Sequence, residues 1–168
     1  MKTLITDMGG VIYSFDSTFD PNKHQEAFDI VLKKQNMFDS DLKSQLEIEL
    51  KSIQSKNLVP YPVEIGITNL NLNILKLKIV IVSTSLVRTS KLILEKFGIN
   101  TDNIDFFDMS DFGSKKDKEA WKTIFKKYKS IDYIVEDGEI NLKAANLAAQ
   151  ELGFSPKTFT SMPDLSLK

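Results

Sequence analysis

Apolar and polar positions along the chain change period repeatedly, and each change marks off a short element. Leu4 and Ile5, flanked by Thr3 and Thr6, read as a buried strand that stops at Asp7 and the Gly9-Gly10 pair. Residues 13–22 are polar and turn-rich (Ser14, Asp16, Ser17, Asp20, Pro21) and predict a loop. Two helices are predicted next. The first, about Asn22 to Lys34, carries Phe28, Ile30, Val31 and Leu32; the second, about Ser40 to Ser55, places Leu42, Leu46, Leu50 and Ile53 on one stripe, with Ile48 off it. Pro60 and Pro62 interrupt the pattern, and Val63 to Leu75, whose period is ambiguous, is read as helix. Lys78 to Val82 is a β-branched strand running into Ser83-Thr84-Ser85, and a helix from about Leu86 to Phe97 closes on Gly98 as its C′ glycine. Ile104 to Met109 predicts a third strand. Lys118 to Lys129 predicts a helix with Trp121, Ile124, Phe125 and Tyr128 on its core face. Tyr133 to Val135 predicts a fourth strand, Leu142 to Leu152 an alanine-rich helix followed by Gly153, and Thr158 to Met162 a short last strand.

Strand alternates with helix from Lys78 onward, which implies an α/β fold: a parallel sheet with helices on both faces. The 168 residues suit one domain with a small insertion, and an apolar fraction of 42% supplies a sizeable core. Twenty-two Lys and Arg against 23 Asp and Glu give a net charge of −1, so no global basic field draws nucleic acid or an anionic membrane. With no cysteine, disulfides, thiolate metal sites and cysteine nucleophiles are excluded. A single histidine, His24, excludes a multi-histidine zinc site and argues against a histidine-based triad; among polar neighbours it reads as solvated. The few apolar residues before Asp7 are too short for a signal-peptide core or a membrane span, so a cytoplasmic, soluble protein is expected.

Ligands of parallel sheets gather at the carboxyl ends of the strands. Those ends carry Asp7, Ser83 with Thr84, and Glu136 with Asp137, and the pair Lys115-Lys116 precedes the helix before the fourth strand. Asp7 and Asp137 can share one Mg²⁺, which favours oxygen ligands and relieves the repulsion of two carboxylates. Ser83, just before a helix, offers a hydroxyl and adjacent N–H donors to an anion. A nearby lysine can hold both a phosphoryl group and a nucleophilic carboxylate. Asp7 would then attack phosphorus to give an aspartyl-phosphate that water releases.

Four segments taken in order resemble the haloacid dehalogenase-like (HAD) superfamily. They are Ile5-Thr-Asp-Met-Gly-Gly-Val-Ile12, Ile79-Val-Ile-Val-Ser-Thr-Ser85, Lys115-Lys-Asp-Lys-Glu-Ala-Trp121 and Ile134-Val-Glu-Asp-Gly-Glu-Ile-Asn141. The resemblance covers nearly the whole chain. It implies a Rossmann-like three-layer core (1–13 and 59–168), a small α-helical cap (14–58) and, for most members, Mg²⁺-dependent hydrolysis of phosphate esters on small substrates. By the resemblance Asp7 is the nucleophile and, with the Gly9 carbonyl and Asp137, a metal ligand. Ser83, with Thr84 beside it, and Lys115 bind the phosphoryl group, with Lys116 the alternative lysine. Asn141 stands beside the metal ligands; Glu136 is either their neighbour or a substitute for Asp137, which the frame of the motif favours.

One departure matters. Phosphatases of the family usually carry a second Asp two residues after the nucleophile as general acid/base, and here that position is Gly9. General acid–base assistance contributes about 10²–10⁴ in rate. Its loss implies slow turnover, a preference for good leaving groups, or a donor elsewhere, with Asp16 the nearest candidate. A different reading is a non-catalytic phosphoryl- or metal-binding regulatory protein that kept the pocket. A third, C–halogen hydrolysis, is opposed by the retention of Asp137 with Asn141. The remaining candidates have simpler meanings. Trp121, Phe125 and Tyr128 read as core, and Phe106 and Phe107 as buried strand; Lys33-Lys34 and Lys126-Lys127 with Lys129 read as solvated faces. Ser83 and Thr84 alone would be a helix N-cap, and Asp108 and Asp111 a solvated loop.

Overall fold

Five of the chain's apolar runs form one sheet in which every strand points the same way. The computed structural model describes residues 1–15, 62–65, 77–84, 87–96 and 99–163. The strands are β1 (Lys2–Thr6), β2 (Tyr13–Phe15), β3 (Pro62–Ile65), β4 (Leu77–Val82), β5 (Ile104–Phe107), β6 (Tyr133–Val135) and β7 (Lys157–Phe159). The helices are α1 (Val87–Lys96), α2 (Met109–Phe112), α3 (Lys118–Phe125) and α4 (Glu139–Glu151). The large sheet has the order β5-β4-β1-β6-β7, and each of its pairings is parallel. The chain therefore winds outward from β1 on one side through β4 and β5, then returns to add β6 and β7 on the other. The strand order reverses between β1 and β6, the place where such sheets open a crevice beyond their carboxyl ends. Among the described residues no helix is long and apolar enough to cross a membrane.

Register fixes the core. Ile5 pairs with both Val80 and Ile134, so the three occupy one row across the sheet. That row packs with Val82 against Trp121, Ile124 and Phe125 of α3 and Ala144, Ala145, Ala148 and Ala149 of α4. The four alanines recur at one helical face, and their small side chains let α4 lie close to the strands. Residues of opposite parity (Leu4, Ile79, Ile81) are buried as well, as expected of a parallel sheet covered on both faces. Each large core side chain removed from water contributes about 1.5–3 kcal/mol.

Local chemistry sets the helix ends. Asp117 caps α3, its carboxylate accepting the Glu119 N–H at 2.9 Å. Gly153, at φ 80°, ends α4, with Gly153 N–H donating to Gln150 O and Phe154 N–H to Ala149 O. This is the left-handed glycine stop that closes both orphan carbonyls.

Several elements differ from the sequence reading. Tyr13–Phe15 is a strand where a loop was expected, and Pro62–Ile65 is a strand where helix was expected from Val63. The two pair in a two-stranded sheet. Proline is tolerated at the first position of a strand, and Val63, Glu64 and Ile65 already alternate. β5 stops at Phe107, and α2 takes up Met109. α3 is shorter than expected, because Lys127 and Tyr128 N–H turn back to Ile124 and Phe125 O in an i→i+3 turn. α4 starts three residues early, at Glu139, directly after Gly138, and β7 begins at Lys157. Phe106 and Phe107 are half-buried, each faced by a lysine ammonium, from Lys91 at 5.4 Å and Lys127 at 4.4 Å. Tyr128 is likewise half-buried, its hydroxyl donating to Asp105 at 2.8 Å. The helices expected over 22–34 and 40–55, residues 66–75, Gly98, His24, Asp16 and Lys33-Lys34 lie outside the described residues.

The chain divides into two compact units, 1–13 with 65–168, and 14–64. The first holds the five-stranded sheet. The second is described at Ser14–Phe15 and 62–64, in β2 and β3.

Candidate active site

One step beyond the strand ends, three residues remain tied to the sheet by their main chains. Asp7 N–H donates to Val135 O at 2.8 Å, Ser83 N–H to Phe107 O at 3.0 Å and Glu136 N–H to Phe159 O at 3.0 Å. Each bond prolongs a parallel ladder past the last strand residue and fixes the side chain that follows. Strand parity then decides direction. Asp7 continues the row of Ile5, and Glu136 the row of its partner Ile134. The carboxylates of Asp7 and Glu136 thus emerge on the α3 and α4 side of the sheet.

Lys115, three residues before α3, meets them there. Its ammonium pairs with Asp7 Oδ1 at 2.8 Å and with Glu136 Oε2, and its side chain is 3% exposed. The second oxygen of Glu136 accepts from Gly138 N–H at 3.0 Å and from Asn141 Nδ2 at 3.2 Å. Asp137 is more exposed and sits against Gly10, where an added Cβ would collide with its Oδ2; Gly10 itself lies at φ 77°. Glycine is required there twice over, by conformation and by space. Lys116 is exposed, and its N–H donates to Ser114 Oγ at 3.2 Å.

One carboxylate oxygen from each of Asp7, Glu136 and Asp137 lies within 4.8 Å of the other two. Two acids pair with one ammonium and a third stands beside them, which leaves an excess of two negative charges when all are ionised. Burial pushes the Asp7 carboxyl up to about 6; Lys115 opposes the rise and Glu136 adds to it. Burial, with Glu136 beside it, also raises Asp137. For Lys115 burial disfavours the charge, but Asp7 and Glu136 more than offset it and hold the ammonium above its ordinary value. An all-oxygen donor set with unbalanced negative charge fits a hard divalent cation.

The structure thus brings together Asp7, Lys115, Glu136, Asp137 and Asn141. Ser83 is buried and Thr84 exposed at the end of β4, the neighbour of β1. Two details of the strand end bear on the expected anion cradle. The Ser83 N–H itself is committed to the ladder. The following helix begins only at Val87, whose N–H donates to Asp108 Oδ2 at 3.0 Å. Asp108, read as a solvated loop residue, is fully buried and supports the start of α1. Its N–H in turn donates to Asp111 Oδ2 at 3.1 Å. The lysine's hold on Asp7 was expected from the sequence, and its contact with Glu136 was not. The signal was available in strand parity, which puts Glu136 rather than Asp137 in the row of Asp7.

No protein-family model matches the chain, and no curated protein matches it by sequence. Solved structures do. The HAD family enzyme BT-2542 from Bacteroides thetaiotaomicron, an aspartate-to-alanine mutant in complex with magnesium and inorganic phosphate, matches with a TM-score of 0.59 and 21% identity over 99% of this chain and 97% of its own. The HAD domain of the Legionella pneumophila effector Lem4 matches with a TM-score of 0.58 and 16% identity over 98% and 88%. The HAD-hydrolase YfnB from Bacillus subtilis, bound to magnesium, matches with a TM-score of 0.53 and 17% identity over 98% and 95%. Five parallel strands with flanking helices and the match to these structures agree: the chain has the Rossmann-like α/β fold of the haloacid dehalogenase-like proteins.

Proposed function

We propose that the protein is a Mg²⁺-dependent phosphate-monoester hydrolase that works through an aspartyl-phosphate on Asp7, with residues 14–58 as a small cap. The observation that carries the reading is the meeting of Asp7, Glu136 and Asp137 around Lys115 at the switch point of the sheet. Magnesium and phosphate in the neighbouring structure of BT-2542 support it as an analogy of fold. Asp7, Asp137 and the Gly9 carbonyl would hold the cation, since both Glu136 oxygens are engaged by Lys115, Gly138 and Asn141. Bound there, the cation supplies positive charge against the phosphoryl oxygens.

The chain's own residues do the rest. Lys115 keeps Asp7 ionised and oriented, and its ammonium lies beside the carboxylate where phosphoryl charge would collect. The Ser83 hydroxyl, with Thr84 next to it, offers a further contact to the phosphoryl group. An Asp7 oxygen forms the bond to phosphorus as the bond to the ester oxygen breaks. Water then attacks the phosphorus, giving inorganic phosphate and restoring the carboxylate. The departing oxygen takes its proton from outside position 9, because Gly9 has no side chain.

Hydrolysis of p-nitrophenyl phosphate with magnesium chloride tests the reading. Activity should vanish with chelator and fall at least about 10³-fold in Asp7→Asn, as expected for loss of a nucleophile. Activity that survives either treatment refutes it. Gly9 also predicts that kcat/KM falls steeply as the leaving group becomes more basic, and that Gly9→Asp restores about 10–10²-fold on alkyl phosphates while leaving the nitrophenyl ester little changed. Gly9, unlike Gly10, is not at positive φ, so its backbone conformation does not demand glycine. The same glycine favours the second reading, a protein that binds phosphate or metal without turnover. Magnesium and phosphate binding with no hydrolysis of any aryl phosphate would establish it.

A further inference from the structure

We propose that Trp121 is a positioning residue for Lys115, fixing both where this lysine leaves the main chain and where its ammonium rests. The proposal rests on the phosphoryl-transfer reading above and adds to it a residue that reads from sequence as plain core. Trp121 is 1% exposed, and its indole Nε1–H donates to the Lys115 carbonyl at 2.7 Å. The same ring stands beside the far end of that lysine, its centroid 5.9 Å from Nζ. One side chain therefore touches Lys115 at its main chain and at its charge.

Local bonds bring the two together. Asp117 N–H donates to Ser114 O at 3.0 Å, closing a turn around Lys115 and Lys116. Asp117 then caps α3, and one turn into that helix Trp121 reaches back to Lys115. The ring is held from both sides, with centroid separations of 5.7 Å to Phe125 and 6.5 Å to Phe112. A lysine stem has four rotatable bonds, so its ammonium needs a wall as well as partners. Asp7 and Glu136 attract it, and the indole face bounds it with a cation–π contact. A buried indole N–H must also find an acceptor, and here the acceptor is the lysine itself.

Trp121 is the only tryptophan in the chain, which permits a clean test. Two variants remove the N–H and keep an aromatic ring: Trp121→Phe, and full replacement of tryptophan by 3-benzothienylalanine, a near-isostere without the donor. Binding of inorganic phosphate in magnesium chloride would be measured by calorimetry, alongside kcat and KM for p-nitrophenyl phosphate. The same change would also be made in a Lys115→Ala background. Phosphate affinity and kcat should each fall about 5–20-fold in the analogue protein, as for loss of one buried hydrogen bond, with unfolding still cooperative. The loss of affinity should vanish when Lys115 is already Ala, because the double-mutant cycle isolates the coupling. Equal losses in both backgrounds, or unchanged phosphate affinity in the analogue protein, overturn the proposal while the hydrolase reading stands. Wild-type protein that neither binds phosphate nor cleaves the ester overturns the hydrolase reading, and this proposal with it.

Discussion

Lys115 and Lys122 lie seven residues apart in the chain, and each meets two carboxylates, yet the surroundings give the two clusters opposite characters. Lys122 sits on the outer side of α3, pairing with Glu119 at 2.9 Å and with Glu151 of α4, while Lys118 pairs with Glu151 from one turn away. There solvent screens the charges, and Lys118 and Lys122 pull the Glu151 carboxyl down to about 2. At Lys115 the same kinds of group are buried, and burial drives the Asp7 carboxyl up to about 6 despite its ion pair with Lys115 at 2.8 Å. The outer cluster relaxes each member toward its charged form. The inner cluster holds more acid than its one cation can neutralise, and such unresolved charge in a crevice is a mark of a functional site.

Removing the inner cation breaks this contrast most severely. Lys115→Met leaves three carboxylates within 4.8 Å of one another with no ammonium between them. Loss of one partner of a buried ion pair costs about 3–5 kcal/mol. Urea unfolding at pH 7 without divalent cation should show a destabilisation of that order, shrinking toward pH 5 as the acids protonate and shrinking also with added magnesium. A variant as stable as wild type at pH 7 would mean that the cluster is not under charge stress.

Removing an inner acid should do the reverse. A carboxyl whose folded pKa is raised favours its neutral form. Asp7 therefore contributes stability below its ordinary value of 3.8, and the contribution is lost as pH rises through about 6. At pH 7 without metal, Asp7→Asn should be more stable than wild type by about 1–3 kcal/mol, and the difference should fade below pH 4. Magnesium should raise the Tm of wild type more than that of Asp7→Asn. A protein destabilised by Asp7→Asn at pH 7 contradicts this sign.

The two clusters also differ in how much of them the sequence disclosed. β1, β4 and β6 were legible because buried parallel strands are short β-branched runs, and their ends named Asp7, Ser83, Glu136 and Asp137 at once. β2 and β3 were not, because three or four residues around a proline carry too little periodicity to separate strand from loop or helix. Within the site, Lys115 was singled out by the resemblance of the segment from Lys115 to Trp121 to the family's, whereas its grip on Glu136 depends on β6 lying beside β1, a long-range pairing that no local pattern contains. Asp108 was read as solvated for the same reason: its neighbour Val87 is remote in sequence. The outer cluster joins residues on two helices whose faces were legible, but its Lys118–Glu151 contact waited on the packing of α3 against α4.

The smallest effect is expected at Glu151, and its size sharpens the contrast. Glu151 is pulled down by the side chains of Lys118 and Lys122, so its contribution is present above the ordinary 4.5 and is lost as pH falls toward about 2. The group is exposed, however, and exposed pairs are weakened by solvent and by the entropy of holding long side chains. Glu151→Gln should shift Tm by no more than about 2 °C at pH 7 in low salt. The shift should disappear at high ionic strength, where the Debye length falls to about 3 Å. Hydrolysis of the nitrophenyl ester should be unchanged, since among the described residues Glu151 pairs with Lys118 and Lys122 of α3 and not with the inner cluster. A salt-resistant loss of stability as large as that of Lys115→Met would show that burial does not separate the two clusters.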